Sequence, residues 1–169
     1  HTDTEGVVWV GTDRGLASIS EGRIINHART HPGDLDVGIS GITGPGKDGI
    51  WLACRGSGLR KFAGGRVQRF GAAEGLETPS ANTVFLDERG TLWIGTTEGL
   101  WRYSDGRFET SASALSGLSH QRTLRNVAAV SIPALVGDRE GSLWIGTRLD
   151  GLGRLRNPVV GNIAGEDAL

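Results

Sequence analysis

Leu92-Trp93-Ile94-Gly95-Thr96-Thr97-Glu98-Gly99-Leu100-Trp101-Arg102-Tyr103 reads as an apolar strand, a tight turn closed by Gly99, and a second strand. The same string returns three times. Trp9-Val10-Gly11-Thr12-Asp13-Arg14-Gly15-Leu16 is nearly identical, while Trp51 to Arg60 and Trp144 to Leu152 carry one more residue in the turn. The anchoring tryptophans Trp9, Trp51, Trp93 and Trp144 lie 42, 42 and 51 residues apart. A period in the low forties fits a four-stranded propeller blade, and no long segment of helical period competes with it.

Working outward, each anchor is preceded by a turn. Asp3, Asp87 and Asp138 stand six residues ahead of their tryptophans, and Gly6, Gly90 and Gly141 three ahead, the composition of a type I turn joining two strands. The second repeat departs, with Pro45-Gly46-Lys47-Asp48-Gly49 in that place. Strands Gly38–Thr43, Asn82–Leu86 and Ala128–Val136 feed these turns, and the first repeat has no counterpart. Further turns at Glu21-Gly22-Arg23, Gly64-Gly65-Arg66 and Ser104-Asp105-Gly106-Arg107 lead to fourth strands at Ile24–Asn26, Val67–Phe70 and Phe108–Thr110. The 28 glycines of this 169-residue chain far exceed the usual share of about 7%, and they fall between apolar, β-branched runs, as many hairpins require. The expected architecture is all-β: a β-propeller segment of about four blades, each a four-stranded antiparallel sheet, forming an open arc. Residues 1–169 make one partial propeller with approximate repeats 1–35, 36–77, 78–126 and 127–169. The polar link Ser111 to Asn126 accounts for most of the longer third spacing.

Composition excludes several functions. With 18 basic and 19 acidic residues the formal charge is −1, which leaves no footprint for nucleic acid. The one cysteine, Cys54, stands where other repeats have threonine and reads as a buried, inert thiol. His27 and His31 are four apart, but Pro32 and Gly33 follow and the segment reads as a loop, so no metal site is expected. Asp3, Asp87 and Asp138 each sit alone in a turn and read as turn formers rather than calcium ligands. No nucleophile elbow or phosphate loop occurs, so no catalytic residue and no cofactor is expected. No apolar run is long enough to cross a bilayer, and the chain contains no methionine, which reads as a fragment of a longer protein.

Residues 87–108 give the fullest unit, Asp-x-x-Gly-x-Leu-Trp-Ile-Gly-Thr-x-x-Gly-Leu-x-Arg-Tyr-x-x-Gly-Arg-Phe. This unit resembles the two-component regulator propeller repeat. The resemblance runs from Asp3 to Leu169 and is weakest in the second repeat, where Ala53-Cys54 replaces Gly-Thr. It implies the extracytoplasmic, periplasmic sensor region of a bacterial signalling protein whose membrane helix and histidine kinase or diguanylate cyclase output lie outside this chain. It also implies a ring usually completed by further blades, so the partners expected are the remaining blades of the parent or a second copy of this chain.

Residues common to every blade cannot distinguish a ligand site, so the tryptophans read as core. What varies is the turn after Gly-Thr. In a propeller that turn shares a face with the links between blades, which would gather Asp13, Arg14, Arg55, Glu98, Arg148 and Asp150, with Glu77 and Asn82 from a link. Such a face suits a polar small molecule or an oligosaccharide, and three arginines suit a carboxylate or sulfate. The alternatives are a propeller lyase or hydrolase, and a pure assembly module.

Overall fold

The computed structural model describes residues 1–78, 80–110 and 130–155. The link Ser111 to Asn126, His120 and the segment after Leu155 lie outside them. The strands are β1 (Val8–Thr12), β2 (Gly15–Ser20), β3 (Arg23–Asn26), β4 (Ile39–Gly46), β5 (Gly49–Cys54), β6 (Gly58–Ala63), β7 (Arg66–Phe70), β8 (Ala81–Leu86), β9 (Leu92–Thr96), β10 (Gly99–Ser104), β11 (Arg107–Thr110), β12 (Ala134–Gly137), β13 (Leu143–Gly146) and β14 (Leu152–Leu155). They form four antiparallel sheets in sequence order, β1-β2-β3, β4-β5-β6-β7, β8-β9-β10-β11 and β12-β13-β14. This is a partial β-propeller, with each repeat folding as one blade.

Two expected elements differ. The segment after β3 is a single helical turn, α1 (His27–Thr30), because the Asn26 side chain accepts a hydrogen bond from the Arg29 N–H and caps it. The strand expected from Ala128 begins only at Ala134, after Pro133; its residues 128–129 lie outside the described part. The first blade begins with a rudiment of an inner strand. Thr2 bridges Val8, and the Trp9 N–H donates to the His1 carbonyl at 2.7 Å.

Successive side chains of a strand point to opposite faces, so each blade has one face toward the preceding blade and one toward the following blade. Three apolar seams result. Trp9 and Leu16 meet Ile50, Leu52, Cys54 and Phe62 between the first and second blades. Trp51, Leu59 and Phe70 meet Val84, Ile94 and Trp101 between the second and third. Trp93 and Leu100 meet Ile132, Ile145 and Leu155 between the third and fourth. The leucine after the turn glycine marks the pattern: Leu16, Leu59 and Leu100 are 1%, 0% and 1% exposed, whereas Leu152 is 61% exposed. Val136 lies on the same face as Leu152 and is exposed too, as are Val8 and Ile24 on the first blade.

The glycine after Trp-x allows close approach between strands. A Cβ on Gly95 would lie 2.6 Å from Thr83 Cγ2 and 2.7 Å from the Ile132 carbonyl. The second blade has Ala53 there, and Gly41, not threonine, is its partner in register. A methyl on β5 is thus tolerated where the partner on β4 has no side chain.

Candidate functional site

The variable turns are held by a constant device. Thr12 Oγ1 donates to the Gly15 carbonyl at 3.1 Å and accepts from the Arg14 N–H at 3.1 Å. Thr96 does the same for Gly99 and Glu98, and Thr147 for Gly151 and Asp150. The hydroxyl thus fixes the turn backbone, while the side chains of Arg14, Glu98 and Asp150 stay exposed. Cys54 cannot copy this role. In its blade the Arg55 N–H donates to the Gly38 carbonyl at 3.0 Å, and the Gly56 N–H donates to Ser80 Oγ at 3.3 Å, which ties the turn to both neighbouring links.

Of the residues expected from sequence, Asp13 and Arg55 are brought together across the first seam, Nη1 to Oδ1 at 3.8 Å, with both side chains largely in water. Exposed pairs of this kind contribute little stability, so they remain available to an incoming polar group. The Arg148 N–H donates to the Ser131 carbonyl at 2.9 Å, and Asn82 Nδ2 donates to Ser131 Oγ at 3.4 Å, so the third and fourth blades meet at the same end. Arg148 and Glu77 are exposed, and no ion pair joins Arg14, Glu98, Arg148 or Asp150 to another described residue.

At the opposite end of the sheets the turn aspartates do more than form turns. Asp87 Oδ1 accepts from the Arg89 and Thr91 amides, and its Oδ2 accepts from Trp93 Nε1 at 3.0 Å. Asp3 and Asp138 hold Trp9 and Trp144 in the same way, at 2.8 Å each. The constant six-residue spacing was the signal for this latch. Pro45 leaves Trp51 without it, and Lys61 Nζ stands 5.3 Å over that ring instead. Burial works to raise the Asp3 carboxyl, but the Trp9 indole and the Val7 and Glu5 amides outweigh it and hold the carboxyl below its usual range. Between the latched turns of the third and fourth blades lies a cavity of about 630 Å³, lined by Phe85, Trp93 and Leu143 and by Arg89, Arg139 and Glu140. Sequence reasoning placed the candidate face at the other end and missed this cavity, which depends on how two blades are set apart.

His27 and His31 hold no metal arrangement, and no metal-ligating cluster occurs among the described residues. Their rings flank Phe62 at 5.0 and 5.3 Å, and His27 Nε2 bonds Ser18 Oγ at 2.8 Å. Cys54 is fully buried, and burial pushes its thiol up to about 11. No helix among the described residues is long and apolar enough to cross a membrane.

Comparison with known proteins agrees with this geometry. Residues 126–148 match the family model of the Two component regulator propeller. The fold is similar to the extracellular domain of a putative hybrid two component system from B. thetaiotaomicron (TM-score 0.63, 21% identity, 86% of this chain and 20% of that chain). It is also similar to that of a putative one component system from the same organism (TM-score 0.63, 19% identity, 90% and 20%). A catalytically inactive virginiamycin B lyase from Staphylococcus aureus shares the fold as well (TM-score 0.62, 17% identity, 90% and 48%). The chain spans about a fifth of the length of the two extracellular domains. A search of the curated proteins returns no match. The chain is a length of β-propeller, and its match to the two component regulator propeller model lies at residues 126–148.

Proposed function

We propose that this chain is the ligand-sensing part of an extracytoplasmic, membrane-anchored bacterial receptor, and that it relays binding to a kinase or cyclase output elsewhere in the parent protein. The observation that carries the reading is the contrast within each turn after Gly-Thr. The backbone is clamped by the same threonine, while the side chains presented differ: Arg14, Glu98 and Asp150. A scaffold that holds position and varies charge suits recognition of a polar small molecule or oligosaccharide. Such a segment is non-enzymatic. Its open first and fourth faces are covered by further blades or by a second copy, since the same faces are sealed wherever a neighbouring blade is present.

The test is a thermal-shift screen of oligosaccharides and organic acids on the complete propeller, followed by Arg55→Ala and Glu98→Ala. Saturable stabilisation by one compound, weakened at least tenfold by either substitution, supports the reading. Stabilisation insensitive to both but lost in Arg139→Ala moves the site to the cavity between the latched turns. A compound consumed, with turnover lost in these variants, replaces the sensor with an enzyme.

A further inference from the structure

Arg60 lies on β6 with only 4% of its surface exposed, and its Nε and Nη1 are buried without a hydrogen-bond partner. In register it stands beside Leu52 on one side and Arg69 on the other, so all three project from the same face of the second blade. That face forms the seam with the first blade, among Leu16, Cys54 and Phe62. The corresponding positions in the other blades are Ala17, Trp101 and Gly153, so this charge belongs to the second blade alone.

No carboxylate neutralises it. Asp34 is already engaged by Arg69, Nε to Oδ1 at 2.6 Å, and Arg69 Nη2 is occupied by the Gly33 carbonyl at 2.8 Å. No ion pair to Arg60 exists among the described residues. A buried cation without a partner is strongly unfavourable. The third nitrogen, Nη2, is not enclosed in the way Nε and Nη1 are. Both bidentate edges of a guanidinium, Nε–Nη2 and Nη1–Nη2, include it. An anion arriving at Nη2 therefore also satisfies one of the buried nitrogens.

We infer that Arg60, with Arg69 beside it, forms an oxyanion site in the seam between the first and second blades, which takes the carboxylate or sulfate group of a solute. A fork of planar donors fits either group, whereas a halide satisfies only one point of it. The site lies in the same seam that Asp13 and Arg55 bridge, but it does not depend on the sensory reading.

The test follows the Arg60 Nε–H resonance by ¹H–¹⁵N spectroscopy on the full chain, assigned by its loss in Arg60→Met. Sodium sulfate, sodium acetate and sodium chloride are titrated at one ionic strength. Sulfate or acetate should shift the resonance saturably, with chloride at least tenfold weaker; a sulfate response alone identifies a tetrahedral anion, an acetate response alone a carboxylate. Arg60→Lys keeps the charge and loses the fork, and should bind at least tenfold more weakly. In the same anions the thermal midpoint of the wild-type chain should rise saturably, and that of Arg60→Met should not. Equal responses to all three salts, or equal stabilisation of wild type and Arg60→Met, would overturn the site. If Arg60→Met does not fold, Arg69→Gln supplies the comparison: an unchanged sulfate response there, together with no discrimination against chloride, also overturns it.

Discussion

Three aspartates each accept one indole N–H and two backbone amides, so a single carboxylate organises a turn and fixes the largest ring of its blade. Removing one leaves three donors unmatched, and Asp87→Ala should lower the unfolding free energy by about 1–3 kcal/mol in urea titrations. At Pro45, where no latch exists, Pro45→Ala should have a smaller effect. The carboxyls of Asp3 and Asp138 lie below their ordinary range; for Asp138 burial works to raise it, and the Ser142 amide, the Trp144 indole and Arg154 prevail. A depressed folded value means stability that is fully present above the unfolded aspartate value, near 4, and lost as the pH falls through the folded one. Urea midpoints should therefore decline steeply below about pH 4, and the decline should flatten in Asp3→Asn/Asp138→Asn. Cys54, buried and with its thiol raised to about 11, should not react with a disulfide reagent at neutral pH until the chain is denatured.

At the scale of elements, strands and turns were legible because Trp-x-Gly-Thr and the glycine turns recur in fixed register. What was not legible came from contacts that do not recur. The helical turn at His27–Thr30 rests on Asn26 acting as a cap just before Pro32 and Gly33 suggest a loop. The exchange of Gly95–Thr83 for Ala53–Gly41 is visible only once the partners are known. Gly95→Ala adds a methyl against the Ile132 carbonyl, which cannot move aside as a side chain can, and should destabilise by roughly 1–3 kcal/mol in chemical denaturation. The candidate turns were found because they break the pattern within it. Arg60 was not, since nothing in its spacing tells that the first blade encloses it.

On the scale of the whole molecule, the exposed Leu152 and Val136 at one end and Val8 and Ile24 at the other are the halves of a seam made three times inside the chain. Sedimentation velocity should show concentration-dependent association of the isolated chain, and Leu152→Glu should shift it to the monomer without a change in its circular dichroism. A wild-type chain that stays monomeric up to high concentration would argue that its faces are met only by blades of the same polypeptide.

The division of bonding also sets how the molecule yields to force. Ladder hydrogen bonds lie within blades, whereas the seams are chiefly side chains with a few polar ties such as Ser40 Oγ to the Ala81 carbonyl. Stretched from its ends, the chain should part at a seam and then release one sheet at a time. Each 42-residue repeat would give a length step of roughly 140–150 Å, so the protein should lengthen in counted increments rather than tear at once.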